Sequence, residues 1–430
     1  MNVFDYPVQV DEICDGNNSL AGYEYEALQK SLTTSNIKFT SELVKEIEKQ
    51  KPTNYVYSPL SLQIGLGMLL LGGGKNSENE VNQIAFSSYL NQTLDIHRSL
   101  YSLMNSLGRK NDNTTIVIAN RLYINSNFSV EDSFNISTDM CYNADVATVD
   151  FLKANKTSKE INDWVVKKTN GTIDKVISPE ALDSNTSAVM VNAIYFHGKW
   201  KSSFNVSNTK KGDFVVINPN SSDLEHSKFI KVEMMKQRRE YEHCYPTNIE
   251  AEFLKMPYES DELSMLFVLP KEIDGLQRVL KNISKFNYDE CFVQKSMKHV
   301  IDVEIPKFEF NTKFNMKEVL QNIGIKDMFD SQKASFSGIG DQGFVQEMVH
   351  EAFVKVDEEG TETATITGTK VGSRSISSQK DYEFHCDRPF LFMIVEEHVG
   401  TVLFLGAVTN PTEGISKAQY RSKCFKGLTI

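Results

Sequence analysis

Two groups of residues in this sequence have the types that chemistry uses. The first is a set of hydroxyls, an imidazole and an amide: Ser58 and Ser61 in Tyr57-Ser-Pro-Leu-Ser61, Asn192 in Val191-Asn-Ala-Ile-Tyr-Phe196, and His350 in Val349-His-Glu-Ala352. A serine and a histidine that meet in space can run nucleophilic catalysis, because such pairs are defined by geometry and not by sequence position. All four sit inside apolar runs, and buried polar groups of this kind more often close a hydrogen-bonded network. The second group lies between Glu358 and Ser378, where Thr361, Thr363, Thr365, Thr367 and Thr369 alternate with Glu362, Ala364, Ile366, Gly368 and Lys370. A period of two puts the threonines on one face of a strand, and β-branched side chains favour extended backbone. Val371, Gly372, Ser373, Arg374 and Ser375 follow. These are small or flexible residues around one long cation, the composition of an exposed tip that a protease can enter.

Other chemistry is excluded by what is missing. A literal G-x-G-x-x-G at Gly338, Gly340 and Gly343 follows Ala-Ser-Phe-Ser, not a strand, so it does not read as a dinucleotide site. No G-x-S-x-G, H-E-x-x-H or G-x-x-x-x-G-K-[ST] occurs, and the histidines show no ligand spacing. No cofactor and no metal are expected. A net charge of −11 argues against nucleic acid as the main partner. Lys228, Lys231, Lys236, Arg238 and Arg239 form a modest basic cluster, readable as a glycosaminoglycan site but more simply as a solvated face.

The elements that must position these residues alternate irregularly. Apolar spacing predicts a helix over Leu28 to Gln50, a short strand before Ser58 and a wholly apolar helix from Pro59 to Leu71, with Ser58 as its cap. Helical periodicity continues from Glu80 to Leu107 and recurs at Ile161 to Thr169 and Met316 to Ile323. Strands are expected at Thr115 to Ile124, Asp145 to Phe151, Ala188 to Phe196, Phe229 to Met235, Glu250 to Met256, Leu263 to Leu269, Val300 to Phe310 and Glu347 to Val356. A closing hairpin pairs Phe390 to Val395 with Thr401 to Val408. Helices crowd the first half and strands the second, without a repeating βαβ unit, which is the pattern of an α+β domain with mixed sheets. No linker interrupts it, so 28–411 reads as one domain, with 1–27 an amino-terminal extension and 412–430 a tail.

The apolar runs are too short to span a membrane, and the first sixteen residues, with Asp5, Asp11, Glu12 and Asp15 among them, lack an apolar stretch of the length a secretory leader requires. Asn-x-Ser/Thr acceptors recur from Asn17 to Asn282, which favours a secreted glycoprotein, with the cytoplasm the alternative. Cys14, Cys141, Cys244, Cys291, Cys386 and Cys424 are widely spaced; most are expected to be buried free thiols, with Cys14 and Cys424 able to pair.

In this order and at this spacing, Tyr57-Ser-Pro-Leu-Ser61, Val191-Asn-Ala-Ile-Tyr-Phe196 with Trp200, Val303-Glu-Ile-Pro-Lys-Phe308, Val349-His-Glu-Ala352, Glu358-Glu-Gly-Thr-Glu362 and Asp387-Arg-Pro-Phe-Leu-Phe392 resemble the serpin family over about Leu28 to Pro411. The resemblance implies three β-sheets, about nine helices and a metastable native state. It also implies a reactive loop, about 358–380, that baits a serine protease, is cleaved, and inserts as a strand in the central sheet. Counted from Glu358, the family spacing puts the scissile bond at Arg374-Ser375, bait for a trypsin-like protease. Glu358, Glu359, Gly360, Thr361, Glu362, Thr363 and Ala364 correspond to the hinge; Ser58, Ser61, Asn192 and His350 to the shutter beneath the sheet; Trp200 to the breach where insertion begins.

The threonine face, continued by Val371, carries no charge and is the one expected to turn inward, leaving Glu362 and Lys370 on an exposed face. Thr363 and Ile366 are larger than the family prefers, which implies imperfect stoichiometry of inhibition. A monomeric protease inhibitor is therefore the leading expectation. A non-inhibitory serpin acting as carrier, storage protein or chaperone, and a hydrolase with an unrecognised motif, are the alternatives.

Overall fold

The computed structural model describes residues 22–414 except 51, 74, 88–89, 91, 109–113, 218–226, 295, 297, 335, 337, 339–342 and 362–381. Helix α1 (Gly22–Lys49) begins inside the stretch read as an extension. It buries Leu32, Phe39, Leu43, Val44 and Ile47. Strand β1 (Tyr55–Tyr57) leads into α2 (Pro59–Leu70), with Ser58 as its cap, accepting from the Ser61 N–H. Every residue of α2 is buried, so this helix is the axis on which the sheets pack.

One sheet has six strands. β10 (Phe308–Asn315), β11 (Val345–Val356), β4 (Ala188–Lys199), β2 (Thr114–Asn125) and β3 (Asp145–Val149) lie side by side, and the two-residue β12 (Gly360–Thr361) pairs with the end of β4. β11 and β4 are parallel neighbours, whereas β10–β11 and β2–β4 are antiparallel. The second array runs β1, β15 (Val402–Val408), β14 (Phe390–Glu396), β8 (Leu263–Pro270), β7 (Ala251–Pro257), β6 (Lys228–Cys244), β9 (Lys298–Pro306) and β13 (Tyr382–His385), with β5 (Lys210–Val216) also on β6. The three expected sheets are recovered with two of them sharing β6, whose 17 residues reach β9 along most of their length and β7 at Glu242–Cys244.

Several expectations shift. Val300 to Phe310 is two strands in different sheets, parted at Lys307 after Pro306, whose ring supplies no further donor to the ladder. Glu80 to Leu107 divides into α3 (Lys75–Ala85) and α4 (Thr93–Leu107). β5 was not anticipated, because its charged sequence becomes a strand only by pairing with β6. Helices α5 (Asp132–Tyr142), α6 (Ala154–Lys168), α7 (Leu276–Asn282) and α8 (Met316–Ile323) complete the described α-helices. The cysteines depart most clearly from expectation. Cys244 and Cys291 form a disulfide across 47 residues, Cys141 is also disulfide-bonded, and Cys386 is a buried free thiol. Register at the end of β6, invisible in the spacing, brings Cys244 to the short π-helix at Asp289–Gln294. Cys14 and Cys424 lie outside the described residues.

The main core fills the space between the arrays around α2. A second cluster covers the other face of the six-stranded sheet, where Tyr123, Val189, Val191, Ala193 and Val349 meet Ile161, Trp164 and Val165 of α6. The face expected to stay exposed is therefore roofed along its middle.

Candidate functional site

Ser58, Ser61, Asn192 and His350 come together beneath the six-stranded sheet, and all four are sealed from solvent. Strand parity aligns two of them: His350 and Asn192 are registered partners across the parallel pair. The Ser58 N–H donates to His350 Nε2 at 3.0 Å. His350 Nδ1 carries the other hydrogen bond, to Asn192 Oδ1. Asn192 Nδ2 donates to the Ser61 carbonyl at 2.9 Å and bonds the Ser61 hydroxyl and Asn120 Oδ1. Burial drives the His350 imidazole down to about 3, so it is neutral. With Nε2 already accepting from a backbone N–H, this imidazole has no lone pair left to take a hydroxyl proton. The arrangement ties α2, β4 and β11 to one another at the centre of the sheet. Asn120 was not singled out in the sequence; its place in an apolar strand directly opposite Asn192 was the available signal.

At the top of the same sheet, β11 and β4 stop pairing after Phe353 and Tyr195. The chain turns at Asp357–Glu359 and comes back antiparallel on β4, Gly360 opposite Lys199 and Thr361 opposite Gly198. Gly360 has φ of +148°, and a Cβ there would lie 2.1 Å from the Gly198 carbonyl oxygen. Only glycine fits. Trp200 stacks on Tyr258 at 4.8 Å, its indole N–H donates to the Asp357 carbonyl and its backbone N–H to the Glu359 carbonyl. Glu358 is 6% exposed, bonded by the Lys307 ammonium at 2.8 Å and the Thr209 hydroxyl at 2.7 Å. Burial opposes ionisation of Glu358, but these two bonds outweigh it and hold the carboxyl below its usual range. Glu359 lies on the same turn, its N–H bonded to the Asp357 carboxylate. Glu362, Thr363, Ala364, Arg374 and Ser375 lie outside the described residues.

The comparisons with known proteins decide what this arrangement belongs to. The profile of the serpin (serine protease inhibitor) family matches residues 34–411. This chain belongs to the serpin family. It is 31% identical over 398 residues to Serpin B3 of Homo sapiens and 32% identical over 391 residues to leukocyte elastase inhibitor A of Mus musculus, each alignment covering 89% of this chain and all of the relative. Among solved structures, Serpin48 of the insect Tenebrio molitor, described as a highly specific serpin, superposes with a TM-score of 0.77 at 27% identity, covering 89% of this chain and 98% of that one. Human thyroxine-binding globulin superposes with a TM-score of 0.79 at 26% identity, covering 90% of this chain and all of that one.

The remaining candidates are not drawn together. Lys231 pairs with Asp213, Lys236 with Glu304 and Arg238 with Asp302 on neighbouring strands, so much of the basic cluster is internally compensated. Among the described residues no group of three metal-ligating side chains occurs, and no helix is long and apolar enough to cross a membrane.

Proposed function

We propose that this serpin inhibits trypsin-like serine proteases irreversibly, offering Arg374-Ser375 as the scissile bond and inserting the cut loop between β11 and β4. The observation that carries the reading is the parallel β11–β4 pair with β12 already turned back onto the end of β4. A strand returning from β11 runs antiparallel to both neighbours, so each can bond it fully, and antiparallel ladders are the more stable. About fourteen inserted residues at ~3.3 Å each carry a tethered acyl-enzyme roughly 45 Å, about a domain diameter. In this reading Gly360 and Glu358 form the hinge, Trp200 marks the entry and the His350–Asn192–Ser61 network resists opening. The disulfide suits an oxidising, extracytoplasmic compartment. Asn127, Asn135 and Asn155, exposed in acceptor triplets, suit glycosylation there.

Mixing the protein with trypsin and separating the products on a denaturing gel tests the proposal. A covalent complex, with the released peptide beginning at Ser375, is expected, together with some cleaved inhibitor because Thr363 and Ile366 are bulky for the slot. Clean cleavage without complex assigns a carrier or storage role instead, and ester turnover without any protease assigns an enzyme.

A further inference from the structure

Two imidazoles meet away from the hinge and the buried network. His243 near the end of β6 and His299 on β9 share a hydrogen bond, 2.9 Å between His243 Nε2 and His299 Nδ1. Tyr382, the first residue of β13, lays its ring against both, with centroids 4.4 Å from His299 and 5.0 Å from His243. Strand parity builds the cluster. Tyr382 is registered with Ile301, two residues beyond His299, and His299 with Tyr241, two residues before His243. β13 itself is lightly held: it ends the second array and, among the described strands, pairs only with β9, in a short parallel register from Tyr382 to His385.

We infer that this imidazole pair is an acid-released clasp on β13, the strand through which the chain leaves the segment read as the reactive loop. The clasp belongs to the described fold and does not depend on whether that loop traps a protease. A hydrogen bond between two imidazoles needs one bare nitrogen, so the pair can be neutral or share a single added proton. A second added proton sets donor against donor and brings two like charges into contact. The long antiparallel ladder from Met234 to Glu242 keeps β6 and β9 together, so relief comes from swinging the rings apart, into the space that Tyr382 fills. Glu252 of β7 lies 3.3 Å from His243 Nδ1 and steadies the first proton there, which leaves the second to His299. No other charge on this side relieves the conflict. Arg388 is spent on the Asp387 carboxylate at 2.8 Å and the Pro270 carbonyl at 3.1 Å, and Arg239, itself a cation, lies beyond Tyr241 on the same face of β6. Burial keeps Tyr241 a neutral phenol, and Glu383 and His385 alternate to the opposite face of β13. Release of β13 therefore takes up one proton that the closed cluster refuses, and acid favours it by up to about tenfold per pH unit.

Cys386 reports the release. It follows β13 directly, is a free thiol sealed from solvent, and its N–H is bonded to the Glu304 carbonyl at 2.9 Å. Its labelling by a dipyridyl disulfide, a reagent that still reacts in acid, is measured from pH 7.5 to 5.5 by mass of the Cys386 peptide, each rate divided by that of a model thiol. In the unaltered protein the corrected rate is expected to rise about tenfold or more across that range while tryptophan fluorescence stays constant. His299→Gln and His243→Gln each leave one imidazole, which cannot carry two charges, and each is expected to abolish the rise. His97→Gln, which changes the acid response of the core, is expected to leave it in place. A rate that does not rise in acid, or a rise that survives both His299→Gln and His243→Gln, overturns the assignment. A rise lost in His97→Gln as well assigns the exposure to unfolding of the whole domain and overturns it too.

Discussion

Glu358 shows how one residue carries a stability term with a definite pH signature. Its carboxylate is buried and kept ionised by Lys307 and Thr209, so its contribution is present above the usual carboxylate range and is lost as pH falls below that range through the lowered native-state value. Lys307→Met strands that charge and is expected to lower stability at pH 7 by about 1–3 kcal/mol, with the difference from the unaltered protein shrinking towards pH 3. Thermal melts of both proteins across that range check it. Under the proposed function Arg374 is a term of another kind, felt only by the protease. Arg374→Ala is expected to slow trypsin inhibition roughly 30-fold or more, since truncating one partner of a buried charge pair costs about 2–5 kcal/mol. Retained inhibition would move the bait bond elsewhere in the loop.

At the scale of elements, β11 is the strand on which the site is built. Its inward positions pack Met348, Ala352 and Val354 on the main core, its centre supplies His350, and its end feeds the turn to Gly360. Local composition, a continuous apolar run in the case of β4, was enough to find β11 and β4, yet not to see them as parallel neighbours, because pairing partners are chosen by the fold and not by local pattern. β6 teaches the same lesson through its cysteine. The Cys244–Cys291 bridge closes 47 residues, and its loss in Cys244→Ser is expected to cost about 4 kcal/mol in the chain-entropy account. Unfolding in denaturant, followed by tryptophan fluorescence, measures that difference.

For the whole molecule, stability is coupled to acid through two histidines held neutral in the core. Burial lowers both His350 and His97 to about 3 from an ordinary value of 6.5. Below pH 6.5 the unfolded chain binds protons that the native state refuses, so stability is complete above that value and is lost as pH falls towards 3. Each histidine contributes a slope of about 1.4 kcal/mol per pH unit at most. Melting curves from pH 7.5 to 4 are expected to fall along that limb, and His97→Gln to flatten it.

From the sequence alone came the buried helix after Ser58, the closing hairpin and the α+β class, because each is written in local periodicity, capping chemistry or side-chain type. The union of Ser61, Asn192 and His350, the splayed top of β11 and β4, the roof of α6 over the second face and the disulfide were decided only by tertiary structure. These depend on register between strands far apart in the chain, and the spacing of residues along one strand carries no information about which distant strand lies beside it.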